Sequence, residues 1–370
     1  MGGDLTTKTM AISFTVTSFS TVVKIRDTAD FNTAIADLSA DTLIIGEKTN
    51  GLSPVIDLAG ESVKFYWLNN VQFENIKFIN GKYIKVDNSS NVKFVNVTLE
   101  NFIQNGFYIY DSSDISITNS KFDNIGSTNV NPTWQGNGVY VSDTTRLTMT
   151  NNEISGTYGQ GGIFLINSQD FLLNDNNIHD TFYRGISMYS GTFTGIIENN
   201  NIQDIGSINT TDSGVTCNGI FGTGDDLSGV SVLNNYIKNV LENGIEGKYG
   251  LVEGNYVDGT GIDIENHPTP SGEGIYANST ICRNNTVKNT QRAGIKVHSN
   301  GSIKNKTIEY NTITKDVFDA EHFGIAIISD IKSYSNVLVR DNIITNYSGI
   351  IVVHQNYGGV IIIGNTYFIV

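Results

Sequence analysis

Asparagine returns along this chain in one frame, two residues before an apolar residue: Asn152, Asn176, Asn200, Asn235, Asn255, Asn285, Asn311, Asn342 and Asn365. The spacing runs from 20 to 35 residues. Beside it runs a second ladder, glycine followed by an apolar residue: Gly106, Gly138, Gly162, Gly185, Gly219, Gly244, Gly274, Gly294, Gly324 and Gly349. Two interleaved ladders at such spacing predict a solenoid, in which each repeat buries its apolar face only against the next. Asn tolerates the left-handed backbone that a sharp corner needs, and stacked amides can bond one another. Gly is expected where the backbone turns into the next strand. After it the residues alternate, as in Gly138-Val-Tyr-Val-Ser and Gly294-Ile-Lys-Val-His, the period of a half-buried strand. Coils stacked ~4.8 Å apart would make a rod roughly 55–60 Å long.

A 3.6-residue pattern is sustained only near the start. Residues 27–38 place Phe31, Ala34, Ile35 and Leu38 on one stripe, which predicts a short amphipathic helix capping the first coil. The expected division is an N-terminal strand and capping helix over 1–42, then one continuous solenoid over 43–370. The alternation Ile12, Phe14, Val16 reads as a strand rather than a signal peptide, and no cleavage site is visible. No run of 18 apolar residues predicts a membrane span. A net charge of −14 without a basic tract argues against nucleic acid as partner. Cys217 and Cys282 neither require nor forbid a disulfide.

Register then brings distant residues into columns. The outward residue of each Gly strand reads Tyr108, Tyr140, Phe164, Ser187, Phe221, Glu246, Tyr276, Lys296, Ala326, Ile351. The next outward column reads Tyr110, Ser142, Ile166, Tyr189, Thr223, Lys248, Asn278, His298, Ile328, Val353. Aromatic residues at Tyr108, Tyr110, Tyr140, Phe164, Tyr189 and Phe221 are expected to floor a groove, since sugar rings stack on aromatic faces. The competing reading is that they are packed under a loop or a neighbouring subunit. The long excursions all leave one corner: Ser120 to Gly138, Asn200 to Gly219, Asn255 to Gly274, Asn311 to Gly324. They carry Trp134, Asp212, Asp263, Glu265, His267, Asp319, Glu321 and His322, and would wall that groove.

Below the aromatic stretch comes a charged group, Glu246, Lys248, Lys296 and His298, with Tyr276 among them. Tyr, Lys and His within one side-chain reach suit proton abstraction next to a sugar carboxylate. Lys296, Lys248 or Arg292 would hold the developing charge, and His298 or Tyr276 would move the proton. A glycosidase needs two carboxyl groups, and Glu246 would require Glu273, Asp263, Glu265 or Asp225 to lean in. No cofactor is demanded. The turns with Asp225-Asp226, Asp258, Asp263 and Glu265 have oxygen-ligand character that would suit Ca²⁺, without an established spacing.

The repeated Gly-Ile-x-Val and Asn-x-Ile unit, from about residue 43 to the end, resembles the right-handed parallel β-helix superfamily of pectate-lyase-like proteins. The helix at 27–38 followed by Thr42-Leu-Ile-Ile45 is similar to the N-terminal cap of that family. The resemblance implies an all-β right-handed parallel β-helix. It implies one of several activities: pectate or alginate lyase, polygalacturonase, mannuronan epimerase, tailspike depolymerase or adhesin. Of the polygalacturonase elements only Gly224-Asp225-Asp226 is matched, and the epimerase Asp-Pro-His element is absent. The leading expectation is therefore a carbohydrate-active β-helix that binds an acidic extracellular polysaccharide and cleaves it by β-elimination, outside the cell or on a virion. The first alternative is a non-catalytic virion or surface-fibre protein, a homotrimer with the aromatic columns as its interface. The second is a glycoside hydrolase using Glu246 with a loop carboxylate.

Overall fold

The structure is a computed structural model, and it describes residues 19–126, 135–206, 216–261, 271–331, 333–352 and 359–370. The expected strand over residues 12–16 lies outside them. Parallel strands form three sheets of 14, 12 and 13 strands, each running the length of the molecule. The chain visits the 12-stranded sheet, then the 14-stranded, then the 13-stranded, and begins the next coil. The only helix among the described residues, Thr28–Ala36, is too short to cross a membrane. Asp27 caps it by accepting the Asp30 N–H at 2.9 Å. Phe31 is fully buried and meets Phe78 edge-on, ring centroids 5.2 Å apart, so the helix closes the first coil. Ala34, Ile35 and Leu38 pack partly buried against the same core.

The ladder asparagines sit where the 14-stranded sheet hands over to the 13-stranded one, and their side chains point inward. Asn176 shows the pattern: Nδ2 donates to Asn200 Oδ1 at 2.9 Å and to the Met149 carbonyl at 3.0 Å. Its own Oδ1 accepts from the backbone and side chain of Asn152 at 3.1 and 2.9 Å. The left-handed corner falls one residue earlier, at Asn151, Asp175, Asn199, Asn234, Asn284 and Asp341, with φ between 52° and 56°. The frame has two causes, divided between two adjacent residues. The amide that satisfies buried backbone is the second of the pair, and the one that turns the chain is the first.

The glycine ladder also has a different cause from the one expected. Gly106, Gly185, Gly219 and Gly244 have ordinary φ. A Cβ at Gly219 would lie 2.6 Å from the Gly244 carbonyl oxygen, and one at Gly106 2.4 Å from that of Gly138. Successive coils approach too closely there for any side chain. Both cysteines are buried, and no disulfide joins them. The last coil leaves Ile361, Ile363 and Ile369 exposed.

Candidate active site

The outward column stands in the predicted register. Tyr108 pairs with Tyr140, Tyr140 with Phe164, Phe164 with Ser187, Ser187 with Phe221, and Phe221 with Glu246. Glu246 then pairs with Tyr276 and Tyr276 with Lys296. Its upper and lower halves have different fates.

The upper half does not form the open aromatic floor that was expected. Tyr140, Phe164 and Phe221 are only 6, 1 and 5 % exposed. The rings stack along the column, Tyr108 on Tyr140 at 4.7 Å and Tyr140 near Phe164 at 5.4 Å, so each covers its neighbour's face. Arg184 lies over Phe221 with its guanidinium 3.9 Å from the ring centre. Burial lowers the proton affinity of that guanidinium to about 10, against the pull of nearby acidic groups. Only Tyr110 and Tyr189 are exposed, and Tyr108 is half-buried. Lys85 sits near Tyr66, Tyr108 and Tyr110 while paired to Asp87 at 2.6 Å.

The lower half opens into a cleft of about 230 Å³, lined by Gly222, Thr223, Gly224, Leu227, Glu246, Gly247, Lys248, Tyr276, Asn278 and His298. Tyr276 O–H lies 3.1 Å from His298 Nδ1, and His298 Nε2 lies 3.0 Å from Asp330 Oδ1. Burial raises the proton affinity of the Tyr276 phenol, and the carboxylates of Glu246, Glu273 and Asp330 add to it. Glu246 Oε2 accepts from Asn218 Nδ2 at 3.0 Å and Asn243 Nδ2 at 2.8 Å. Its carboxyl is nevertheless held above the ordinary carboxylate range, because burial outweighs those donors and the pull of Arg184.

Lys296 is engaged elsewhere. Its ammonium pairs with Glu273 at 2.7 Å and lies 4.8 Å from the centre of the Tyr276 ring. Glu273 is 2 % exposed, so the pair is internal to the protein. The exposed cation of the cleft is Lys248. Behind it Lys306 donates to the Asn278 carbonyl at 2.6 Å. Burial and the charge of Lys248 lower the proton affinity of Lys306. Among the described residues neither ammonium pairs with a carboxylate. Arg292 is half-buried and does not line the cleft. Trp134 and His267, like Asp212, Asp263 and Glu265, lie outside the described residues.

One feature escaped the sequence reading although a signal was present. Asn-Gly recurs at Asn105, Asn137, Asn218 and Asn243, each one residue before the glycine ladder. These amides form a second internal ladder: Asn105 Oδ1 accepts from Asn137 N at 3.0 Å, and Asn218 Oδ1 from Asn243 N at 3.1 Å. The last two hold Glu246. Asp330 and Lys306 had no such signal.

Among the described residues no group of His, Cys, Asp or Glu is arranged to hold a metal ion. Of the turn carboxylates expected to suit Ca²⁺, the three among the described residues bond the backbone or a neighbouring side chain. Asp225 accepts the Gly191 N–H at 3.1 Å, Asp226 the Ser228 N–H at 2.8 Å, and Asp258 the Tyr256 hydroxyl at 3.1 Å.

A family model described as right handed beta helix region matches residues 82–250. No curated protein matches the sequence. Solved structures do match, at low identity. The surface adhesin PfbA of Streptococcus pneumoniae superposes with a TM-score of 0.60 at 14 % identity, covering 92 % of this chain and 86 % of its own. The Dettilon tailspike protein gp208 gives 0.51 at 12 %, covering 92 % of this chain, which spans only 64 % of the tailspike. The periplasmic alginate epimerase AlgG gives 0.50 at 11 %, covering 93 % and 83 %. With three continuous parallel sheets and this family match, the chain is a right-handed parallel β-helix.

Proposed function

We propose that the chain is a carbohydrate-active β-helix that binds an acidic extracellular polysaccharide in the Tyr276 cleft and cleaves it by β-elimination. It would act outside the cell or on a virion surface. One observation carries this reading: a single cleft presents a hydrogen-bonded Tyr276–His298 pair, a carboxyl group of raised proton affinity and an exposed ammonium. Elimination needs these three kinds of group. A base removes the proton next to the sugar carboxylate, a cation holds the charge that develops on that carboxylate, and an acid protonates the leaving oxygen. The C–H electron pair becomes the new C=C bond, and the C–O pair departs with the oxygen. Tyr276 and His298 supply the base, Lys248 the cation, and Glu246 the acid. A carboxyl held above the ordinary range retains a proton to give at pH values where an exposed one does not.

Hydrolysis is supported less well. It requires a second carboxyl group facing the same bond. Glu246 is the one carboxyl-bearing residue among those lining the cleft, and Glu273 is committed to Lys296. Lys248, with Lys306 behind it, brings cationic groups to the cleft on a chain of net charge −14, which suits an acidic polymer.

The test is to incubate the protein with a panel of uronate-containing and neutral polysaccharides. Ultraviolet absorbance of unsaturated uronate is expected on at least one acidic polymer. Reducing ends released only from a neutral polymer, without that absorbance, would overturn elimination in favour of hydrolysis.

A further inference from the structure

We infer that Asp330 is a positioning residue that fixes His298 as the Nε2–H tautomer, and that Tyr276, not the imidazole, exchanges the proton with substrate. The inference rests on the cleavage proposed above and assigns the order of groups within it.

What each group can donate sets the order. Asp330 follows the strand Ile325–Ser329, one coil beyond His298, and its own N–H is held by the Ser299 carbonyl at 3.0 Å. Its ionised carboxylate can only accept. With Oδ1 at 3.0 Å from Nε2, that nitrogen must carry hydrogen. In a neutral imidazole the other nitrogen is then bare, and Tyr276 O–H at 3.1 Å donates to it. Both ring nitrogens are thereby occupied, so the imidazole has none left for substrate. Tyr276 lines the cleft, and its oxygen is the outer end of the chain Asp330–His298–Tyr276.

The proton path follows. As the Tyr276 oxygen takes the proton from the sugar carbon, its own proton passes to His298 Nδ1. The C–H pair forms the C=C bond, and the leaving oxygen takes the Glu246 proton. The resulting imidazolium lies against the Asp330 carboxylate, which stabilises it. Afterwards the imidazolium loses one proton to water and Glu246 regains one, so the balance closes without a co-reactant. Asp330 is about half exposed, with 53 % of its side chain accessible, so water weakens its hold on the imidazolium.

Two readouts test this. Nitrogen-15 NMR of the ring-labelled full chain should show His298 protonated on Nε2 and bare on Nδ1. Asp330→Asn can present its amide N–H to Nε2 and so moves hydrogen to Nδ1, where it blocks the Tyr276 donation. On a polymer the protein cleaves, Asp330→Asn should lower kcat roughly 10- to 100-fold, part of what a positioned acid or base contributes, and leave KM within about twofold, since Asp330 is not in the cleft lining. Asp330→Glu should restore most of the rate. A wild-type ring with hydrogen on Nδ1 would overturn the inference, as would an unchanged kcat in Asp330→Asn. If no polymer is cleaved, the cleavage reading fails by itself, and the NMR signature still decides the tautomer.

Discussion

Replacing Asn235 by alanine should cost the protein about 4 kcal/mol, and the figure follows from counting what that amide holds. Its Oδ1 accepts from Asn200 N at 3.0 Å and Asn200 Nδ2 at 2.9 Å. Its Nδ2 donates to the Ile197 carbonyl and to Asn255 Oδ1, both at 3.0 Å. The residue is 1 % exposed, so water cannot reach the groups left behind. A net contribution of ~1 kcal/mol per bond gives roughly 4 kcal/mol, and the vacated space adds to it. Asn365 is the matched control. It also makes four bonds: it accepts from Asn342 N and Nδ2 at 3.0 and 2.8 Å and donates to the Val339 and Ile363 carbonyls at 3.1 Å each. Asn365 is only half-buried, so water can replace part of the loss and Asn365→Ala should cost about 1–2 kcal/mol. Urea unfolding followed by circular dichroism measures both. Equal costs, or a loss below about 1 kcal/mol at Asn235, would refute the claim that burial rather than bond number gives this ladder its strength.

Further predictions concern the cleft and the close approach of the coils. Glu246 has a folded proton affinity above its ordinary value of 4.5, so the folded state gains stability from the protonated form. That gain is complete below about pH 4.5 and is lost as pH rises through the folded value. Glu246→Gln should remove this slope from pH-dependent melts and abolish turnover; a slope unchanged by the substitution would show that Glu246 is not its source. Lys248→Ala should raise KM for an acidic polymer about 3- to 10-fold at low ionic strength, an effect that fades as salt is added. An equal effect on a neutral polymer would argue against a charge contact. Gly219→Ala should destabilise by about 1–3 kcal/mol, because its Cβ meets the Gly244 oxygen at 2.6 Å and Ile237 Cγ2 at 2.8 Å; a neutral melt would mean that the coils can move apart.

The two ladders and the pairing register were legible because stacking makes every coil repeat the same local problem. From Asn152 onward each coil satisfies the backbone at one corner with Asn, and from Gly106 onward it brings two chains close at another with Gly. Tyr276, Lys296 and His298 could be grouped from spacing alone for the same reason. Their partners could not. Lys296 finds Glu273 and His298 finds Asp330 through contacts between coils whose lengths differ, and those lengths follow no rule in the sequence. The aromatic column illustrates the limit. Its register was readable, but its accessibility was not, because Arg184 reaches over Phe221 from another rung.

By itself the amino-acid order determined a parallel solenoid and which residues share a column, since a chain repeating every coil has one way to bury its period-two face. Which members of a column are open to a ligand, which ammonium is already neutralised and which nitrogen carries hydrogen were decided only in three dimensions. Burial and charge pairing depend on side chains arriving from other coils, and no spacing encodes their reach.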